Sequence, residues 1–333
     1  MVIPSIHPEQ DHHSLLLQPT ACISKLEGLA LWFSKRQDKE LPDPIQAATV
    51  LFAADHGVAQ TSNTLELVRQ AATPDSVIAE LCRQAGSSLH IVDVGVAGCM
   101  ADIDNVEHAK VRTSGTADIT KEPAMRQEDY WEIVGIGEEM ANRTIAAGAN
   151  LLIAGSLSAG NHIAIAALLS ELLGLSAEEV LTTSPGASTD QYASDLMAVE
   201  QATARASGTP SHDLLRELGG LEIAAMAGFY RAAAEKGVPV LLDGLGSATA
   251  ALAAIAWDVR IAGWMLASHT SNDTGHREVM EELGFEPLIA LKCSMDGGSV
   301  ATLVLPVLQS AITLQRGLAN IETATETSTH CGQ

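Results

Sequence analysis

Asp55-His56-Gly57-Val58 sets a carboxylate and an imidazole directly after an apolar run at 48–53. In an open α/β sheet ligands bind outside the carboxyl ends of the strands, so Asp55 and His56 could orient a substrate there. A strand-end turn, with Asp55 bonding to backbone and Gly57 supplying a positive φ, uses the same residues equally well. Gly155-Ser156-Leu157-Ser158-Ala159-Gly160-Asn161 follows another apolar run and precedes a helical pattern. Its small residues would let the backbone approach a phosphate at the free N–H groups of a helix start. An ordinary turn with Asn161 as N-cap explains that spacing more simply.

Asp243-Gly244-Leu245-Gly246-Ser247 is a third turn of this kind, where Asp243 could reach a ribose hydroxyl or another loop. Asp296-Gly297-Gly298-Ser299 is a fourth, and Asp296 is a candidate general base. A carboxylate beside a helix start is also stabilising in any fold. Ser268-His269 and His276-Arg277 follow a further apolar run. The seven-residue spacing of His269 and His276 suits neither a one-turn metal pair nor a nucleophile arrangement, which favours structural histidines. No Walker loop, GxGxxG or Ser/His/Asp set stands out.

The elements that must hold these turns alternate. Short apolar runs at 48–53, 89–96, 151–154, 238–242, 261–267 and 287–291 have the length and flanks of buried parallel strands. Helical patterns lie between them at 65–84, 128–147, 162–173, 191–206, 223–235, 247–257 and 274–283. Strand, crossover helix and strand in that order predict an α/β fold, a mostly parallel Rossmann-like sheet with helices on both faces. Residues 14–37 and 299–320 read as helices with no strand beside them. The expected organisation is a large domain over 45–298 and a small helical domain from 1–44 and 299–333.

Composition narrows the function classes. The 19 Lys and Arg against 41 Asp and Glu give a net charge of −22, which argues against nucleic-acid backbones and anionic membranes. No run of 18 or more apolar residues suggests a membrane span. The start, Met1-Val2-Ile3-Pro4-Ser5, has no basic and apolar leader pattern. Cys22, Cys82, Cys99, Cys293 and Cys331 share no CxxC spacing, so reduced thiols and a cytoplasmic setting are expected. The Ala-rich helices offer more apolar surface than one sheet obviously needs, which points towards a dimer.

Longer motifs carry a resemblance. Leu218-Gly219-Gly220-Leu221-Glu222-Ile223-Ala224-Ala225-Met226-Ala227-Gly228 is very similar to the LGGFEIAAMAG segment of the nicotinate-nucleotide:dimethylbenzimidazole phosphoribosyltransferases. Residues 237–244 resemble that family's GIPVLVDG, residues 52–59 its FAGDHGVA, Glu122-Pro123-Ala124-Met125 its EPAM, and Gly275-His276-Arg277 its PGHR. The order and distances agree over about residues 20–320. The resemblance implies transfer of the phosphoribosyl group of nicotinate mononucleotide to an aromatic base, for the lower ligand of a cobamide. It implies a dimer with sites near the subunit interface, no metal in the chemistry and no cofactor. With the strand-end turns it nominates Asp55, His56, Ser156, Gly160, Asn161, Glu222, Asp243, Gly244 and Ser268 as substrate-binding residues.

The departures are as informative. The family's GEMGIGNTT loop aligns with residues 155–163, and its carboxylate becomes Ser156. GRGTG is replaced by Thr183-Ser184-Pro185-Gly186-Ala187, and the YPQEVTRQ stretch by residues 63–70. RLGEGTGAAL, aligned without a gap, puts the family's general-base Glu on Gly297 and its Arg on Ser294. Asp296 stands one residue away, about 100° round a helix start. Some members of the family work as pairs of unlike homologous subunits, including ones that accept phenolic bases. This chain resembles the less catalytic member of such a pair, in a heterodimer with a homologous subunit. Two other readings remain open: an active transferase with an unusual acceptor, and a nucleotide-sensing binding protein.

Overall fold

The computed structural model describes residues 24–59, 62–182 and 188–330, with side chains described through Gly317. In chain order the elements are α1 (Ser24–Gln37), β1 (Ala47–Ala54), α2 (Thr64–Ala71), α3 (Val77–Ala85), β2 (Ser87–Gly95) and β3 (Val106–His108). Then come α4 (Gln127–Ala146), β4 (Leu151–Leu157), α5 (His162–Leu173), α6 (Ala177–Val180), α7 (Thr189–Ala206), α8 (Leu214–Leu218) and α9 (Leu221–Glu235). The chain closes with β5 (Val240–Leu242), α10 (Leu245–Trp257), β6 (Met265–Ala267), α11 (Thr274–Leu283) and α12 (Ser299–His330).

The strands form one sheet in the order β3-β2-β1-β4-β5-β6, each pair parallel. This is the doubly wound order, and it reverses between β1 and β4. The two central strands run level, Ala47 opposite Leu151 and Ala53 opposite Leu157. Their carboxyl ends therefore open the switch-point crevice where such sheets bind ligands.

Alternation along each strand decides which layer it meets. Val50, Phe52, Leu152, Ala154, Val240 and Leu242 face the large core built with α4, α5, α9 and α10. Leu51 and Ala53 face α2 and α3, while Leu151, Ile153 and Leu241 meet Ala301, Leu305 and Leu308 of α12. Trp32 and Phe33 of α1 belong to that last cluster, so the two chain ends lie together on one face. Arg316 donates to the Pro42 carbonyl at 2.9 Å, and Arg36 to the Gly263 carbonyl at 2.8 Å.

The structure departs from the sequence reading at several elements. The helix expected over 65–84 is two helices, because Pro74 has no N–H and the Ser76 side chain caps a new start at Ala79 N. The run at 261–267 opens as a 3₁₀ helix, Val259–Trp264, with Asp258 capping it, and only its last residues join the sheet. The run at 287–291 forms no strand. It makes one isolated parallel bridge, His269 with Ile289. The edge strand β3 was not expected; it is short and polar. The backbone helix of α12 extends to His330, past the end of the apolar pattern at 320.

The Ala-rich helices α9 and α10 are buried almost throughout within this chain. Their apolar surface is used by internal packing, so it gives no argument for a dimer. Small residues let the layers close up: a Cβ at Gly137 of α4 would lie 1.9 Å from the Ala225 carbonyl oxygen, and one at Gly228 of α9 would lie 2.2 Å from that of Val134. That contact explains why the motif containing Gly228 ends in glycine. Among the described residues no helix is long and apolar enough to cross a membrane. Replacing Gly137 by alanine forces α4 from α9 and is expected to cost about 1–3 kcal/mol, the usual penalty for overpacking. Urea unfolding of G137A measures it, and an unchanged midpoint would contradict this account of the packing.

Candidate active site

The four strand-end turns all lie at the carboxyl edge of the sheet. After β1, Asp55 is buried and its carboxylate binds two neighbouring loops: it accepts from Ala97 N at 2.6 Å and from the Ser62 hydroxyl. Its own N–H donates to the Gly95 carbonyl at 3.1 Å, and its carbonyl accepts from Thr116 N at 3.1 Å. Both carboxylate oxygens thus hold backbone and loop in place, as a strand-end turn requires. His56 turns the other way. Its Nε2 lies 2.9 Å from Glu222 Oε1 in the first turn of α9, and neither side chain is exposed. His56 Nδ1 and Glu222 Oε2 have no partner among the described residues. The pair requires Gly220, where a Cβ would sit 2.4 Å from Glu222 Oε2.

Asp243, at the end of β5, ties the far side of the site together. It is 1% exposed, and its Oδ2 and Oδ1 accept from Gly298 N and Ala301 N, each at 2.8 Å. It therefore satisfies free N–H groups at the start of α12. Burial pushes its carboxyl pKa up, against the pull of these N–H groups and of His269. His269 is buried, with Nε2 3.1 Å from the Cys293 carbonyl and Nδ1 2.8 Å from the Ser268 hydroxyl. That pattern is a neutral imidazole donating from Nε2 and accepting from Ser268, and burial pushes its pKa down. His276, seven residues on, stacks on it with ring centroids 5.5 Å apart, and burial lowers the His276 pKa to about 4.

The loop leading into α12 carries Asp296 and Gly297. Asp296 stays accessible to water, and its carboxylate lies against the start of α10: a Cβ at Gly244 would meet its Oδ1 at 2.6 Å. Desolvation, then Asp243 and Asp273, push this carboxyl up to about 7, opposed by the Gly246 N–H. Gly297 and Gly298 have φ of 75° and 72°, the left-handed region that favours glycine. A Cβ on Gly155 of β4 would meet Gly298 N at 2.2 Å, so this loop rests directly on the strand.

After β4, Ser156 is 5% exposed beside the start of α10. Gly160 takes φ of 85°, and Asn161 sits at the N-cap of α5 without a side-chain cap bond. The loop is pinned to its neighbours by Ser158 Oγ donating to the Ala54 carbonyl at 2.7 Å and by Ala159 N donating to Thr64 Oγ1 at 2.9 Å. The structure thus brings Ser156, Asp243, Gly244, Asp296 and Gly297 together, with Ser268 in the histidine network beside Asp243. His56 and Glu222 form a second, buried group. Thr64, Gly220 and Gly246 were missed. The Gly219-Gly220 pair before an acidic helix start was one available signal, and Thr64 lies in the 63–70 stretch already set against the family's YPQEVTRQ segment. Residues 183–187, where the family arginine is lost, lie outside the described residues. Among the described residues no group of three or more His, Cys, Asp or Glu is placed to hold a metal.

The family described as phosphoribosyltransferase matches residues 6–325 of the chain. A nicotinate-nucleotide–dimethylbenzimidazole phosphoribosyltransferase of Chromobacterium violaceum is 38% identical over 320 residues, covering 93% of this chain and 92% of the relative. One of Pseudomonas putida is 34% identical over 320 residues, covering 93% and 90%. A crystal structure of the enzyme of that name from Thermus thermophilus superposes with a TM-score of 0.82 at 33% identity, covering 89% of this chain and 91% of that one. A structure of CobT from the same organism gives 0.84 over the same shares.

The titration of Asp296 has a stability consequence. Between pH about 4 and 7 the folded chain keeps a proton that the unfolded chain has lost, so this group's contribution falls as pH rises through that window. His276 acts oppositely: between pH about 4 and 6.5 the unfolded chain gains the proton, so its contribution falls as pH falls. Asp296→Asn removes the first effect and leaves the second. Urea unfolding from pH 4 to 8 is expected to show the variant gaining stability over the wild type as pH rises towards 7. Parallel curves would contradict the raised Asp296 pKa.

Proposed function

The chain belongs to the nicotinate-nucleotide–dimethylbenzimidazole phosphoribosyltransferase family, and we propose that it works as the supporting subunit of a transferase completed by a homologous chain. The reaction of the complex takes nicotinate mononucleotide as donor and a benzimidazole or phenolic base as acceptor. The acceptor forms a bond to C1 of the ribose as the bond from C1 to the pyridinium nitrogen breaks. Nicotinate leaves with that electron pair, and the acceptor's proton passes to a general base.

Gly297 is the observation that carries the supporting role. It stands where the resemblance places the family's general base, and its φ of 75° strains any L-residue by about 1–2 kcal/mol. The loop around it is built for glycine, and its Cα rests against β4. The substrate-facing part of this reading assigns Ser156, Gly160, Asn161, Asp243, Gly244 and Ser268 to the strand-end crevice. His56, Glu222 and Asp55 hold its walls. A second reading makes Asp296 a relocated base, and its carboxyl at about 7 favours that, because general bases work best near the ambient pH.

Nicotinate release by the chain alone, by a homologue with an intact GEGTG, and by the mixture tests the proposal. Turnover is expected only where the homologue is present, with the mixture above the homologue by itself. In the mixture, Asp296→Ala is expected to avoid the 10²–10⁴ loss, about 3–5 kcal/mol, that removal of a general base brings. Such a loss with assembly intact would make Asp296 the base and overturn the supporting role. Gly297→Glu is expected to lower stability without creating turnover in the chain alone.

A further inference from the structure

The start of α10 is served by groups from two distant loops. Gly244 is its N-cap and has no side chain to offer, and the first turn holds no acid. The partial positive charge of the helix end is met instead from outside. Asp296 Oδ1 lies where a Cβ on Gly244 would come within 2.6 Å, and the nearby Gly246 N–H pulls the Asp296 carboxyl pKa down. Ser156 approaches the same turn from β4, its Oγ 2.8 Å from the Cβ position of Gly246. Ser156 is 5% exposed, and none of the hydrogen bonds among the described residues involves its hydroxyl. An unpartnered hydroxyl beside a helix start is free to donate to a ligand oxygen.

We propose that the first turn of α10, with Ser156, is an oxyanion-binding site, and that Asp296 occupies it as an intramolecular stand-in for the phosphate or carboxylate of a ligand. Two glycines let both groups approach the helix start, and a carboxylate is the protein's own nearest copy of such an anion. The occupant is weakly held. Asp243 and Asp273 repel it, and its carboxyl is raised to about 7 by burial and these neighbours. The site rests on the functional reading above only in taking the anion to be part of the phosphoribosyl donor.

A stand-in lowers apparent affinity by the fraction of time the site is free, so removing it restores that factor. The purified full chain is titrated calorimetrically at pH 8 with inorganic phosphate and with nicotinate, separately. Asp296→Ala is expected to bind one of them about tenfold or more tightly than the wild type. Which anion gains tells whether a phosphate or a carboxylate is seated. Ser156→Ala in the Asp296→Ala background is expected to remove most of the gain. Asp296→Asn, nearly isosteric, guards against a misfolded alanine variant and should gain severalfold. If a variant that melts like the wild type binds neither anion more tightly, the proposal falls. A gain without phosphoribosyl transfer in any mixture leaves this site standing and overturns the functional reading; transfer without a gain does the reverse.

Discussion

The carboxylate of Asp243 is the tie on which the rest of the arrangement depends. It ends β5, is almost wholly buried, and accepts from Gly298 N and Ala301 N. Hydrogen bonds to an ionised carboxylate are among the stronger ones, and here they offset a large desolvation cost. They fix where α12 begins. From that point α12 lays Ala301, Leu305 and Leu308 on the sheet and meets Trp32 and Phe33 of α1. The same bonds decide where the loop holding Asp296 and Gly297 must rest. One strand-end acid thus links the sheet, the helical layer formed by both chain ends and the candidate site.

Small side chains make the layers thin enough for this to work. Alanine and glycine on α4, α9 and α10 bring helix backbones into direct contact, and the strands beneath expose alternate aliphatic residues to each side. Close layers bring the loops at the carboxyl edge within reach of one another. Ser158 then bonds the end of β1, and Thr64 receives Ala159 N. The crevice is held by hydrogen bonds between loops that are far apart in sequence.

Its electrostatics follow from depth. Asp243 and Asp296 are pushed up by desolvation while His269 and His276 are pushed down, so burial favours the neutral form of every member. In the proposed anion site the donors are backbone N–H groups and a hydroxyl rather than lysine or arginine.

The sequence by itself determined the layer architecture and the edge of the sheet where the site lies. Short continuous apolar runs followed by helical runs leave few topologies, and turns rich in Asp, Ser and Gly must fall at strand ends. The family was legible for the same reason: motifs such as the one ending in Gly228 record packing that tolerates no larger side chain. Only the tertiary structure decided what each turn residue does. Asp55 and Asp243 look alike in sequence, each an acid after an apolar run, yet Asp55 binds the loops beside β1 while Asp243 starts a helix more than fifty residues on. His56 meets Glu222 for a similar reason, since the contact spans the whole first half of the sheet. The surroundings of Asp296, two following glycines of positive φ and a helix end in front of it, are likewise set only by the fold. Local pattern encodes which residues share a face, but the partner of a polar side chain is chosen by loops that meet only after the sheet has formed.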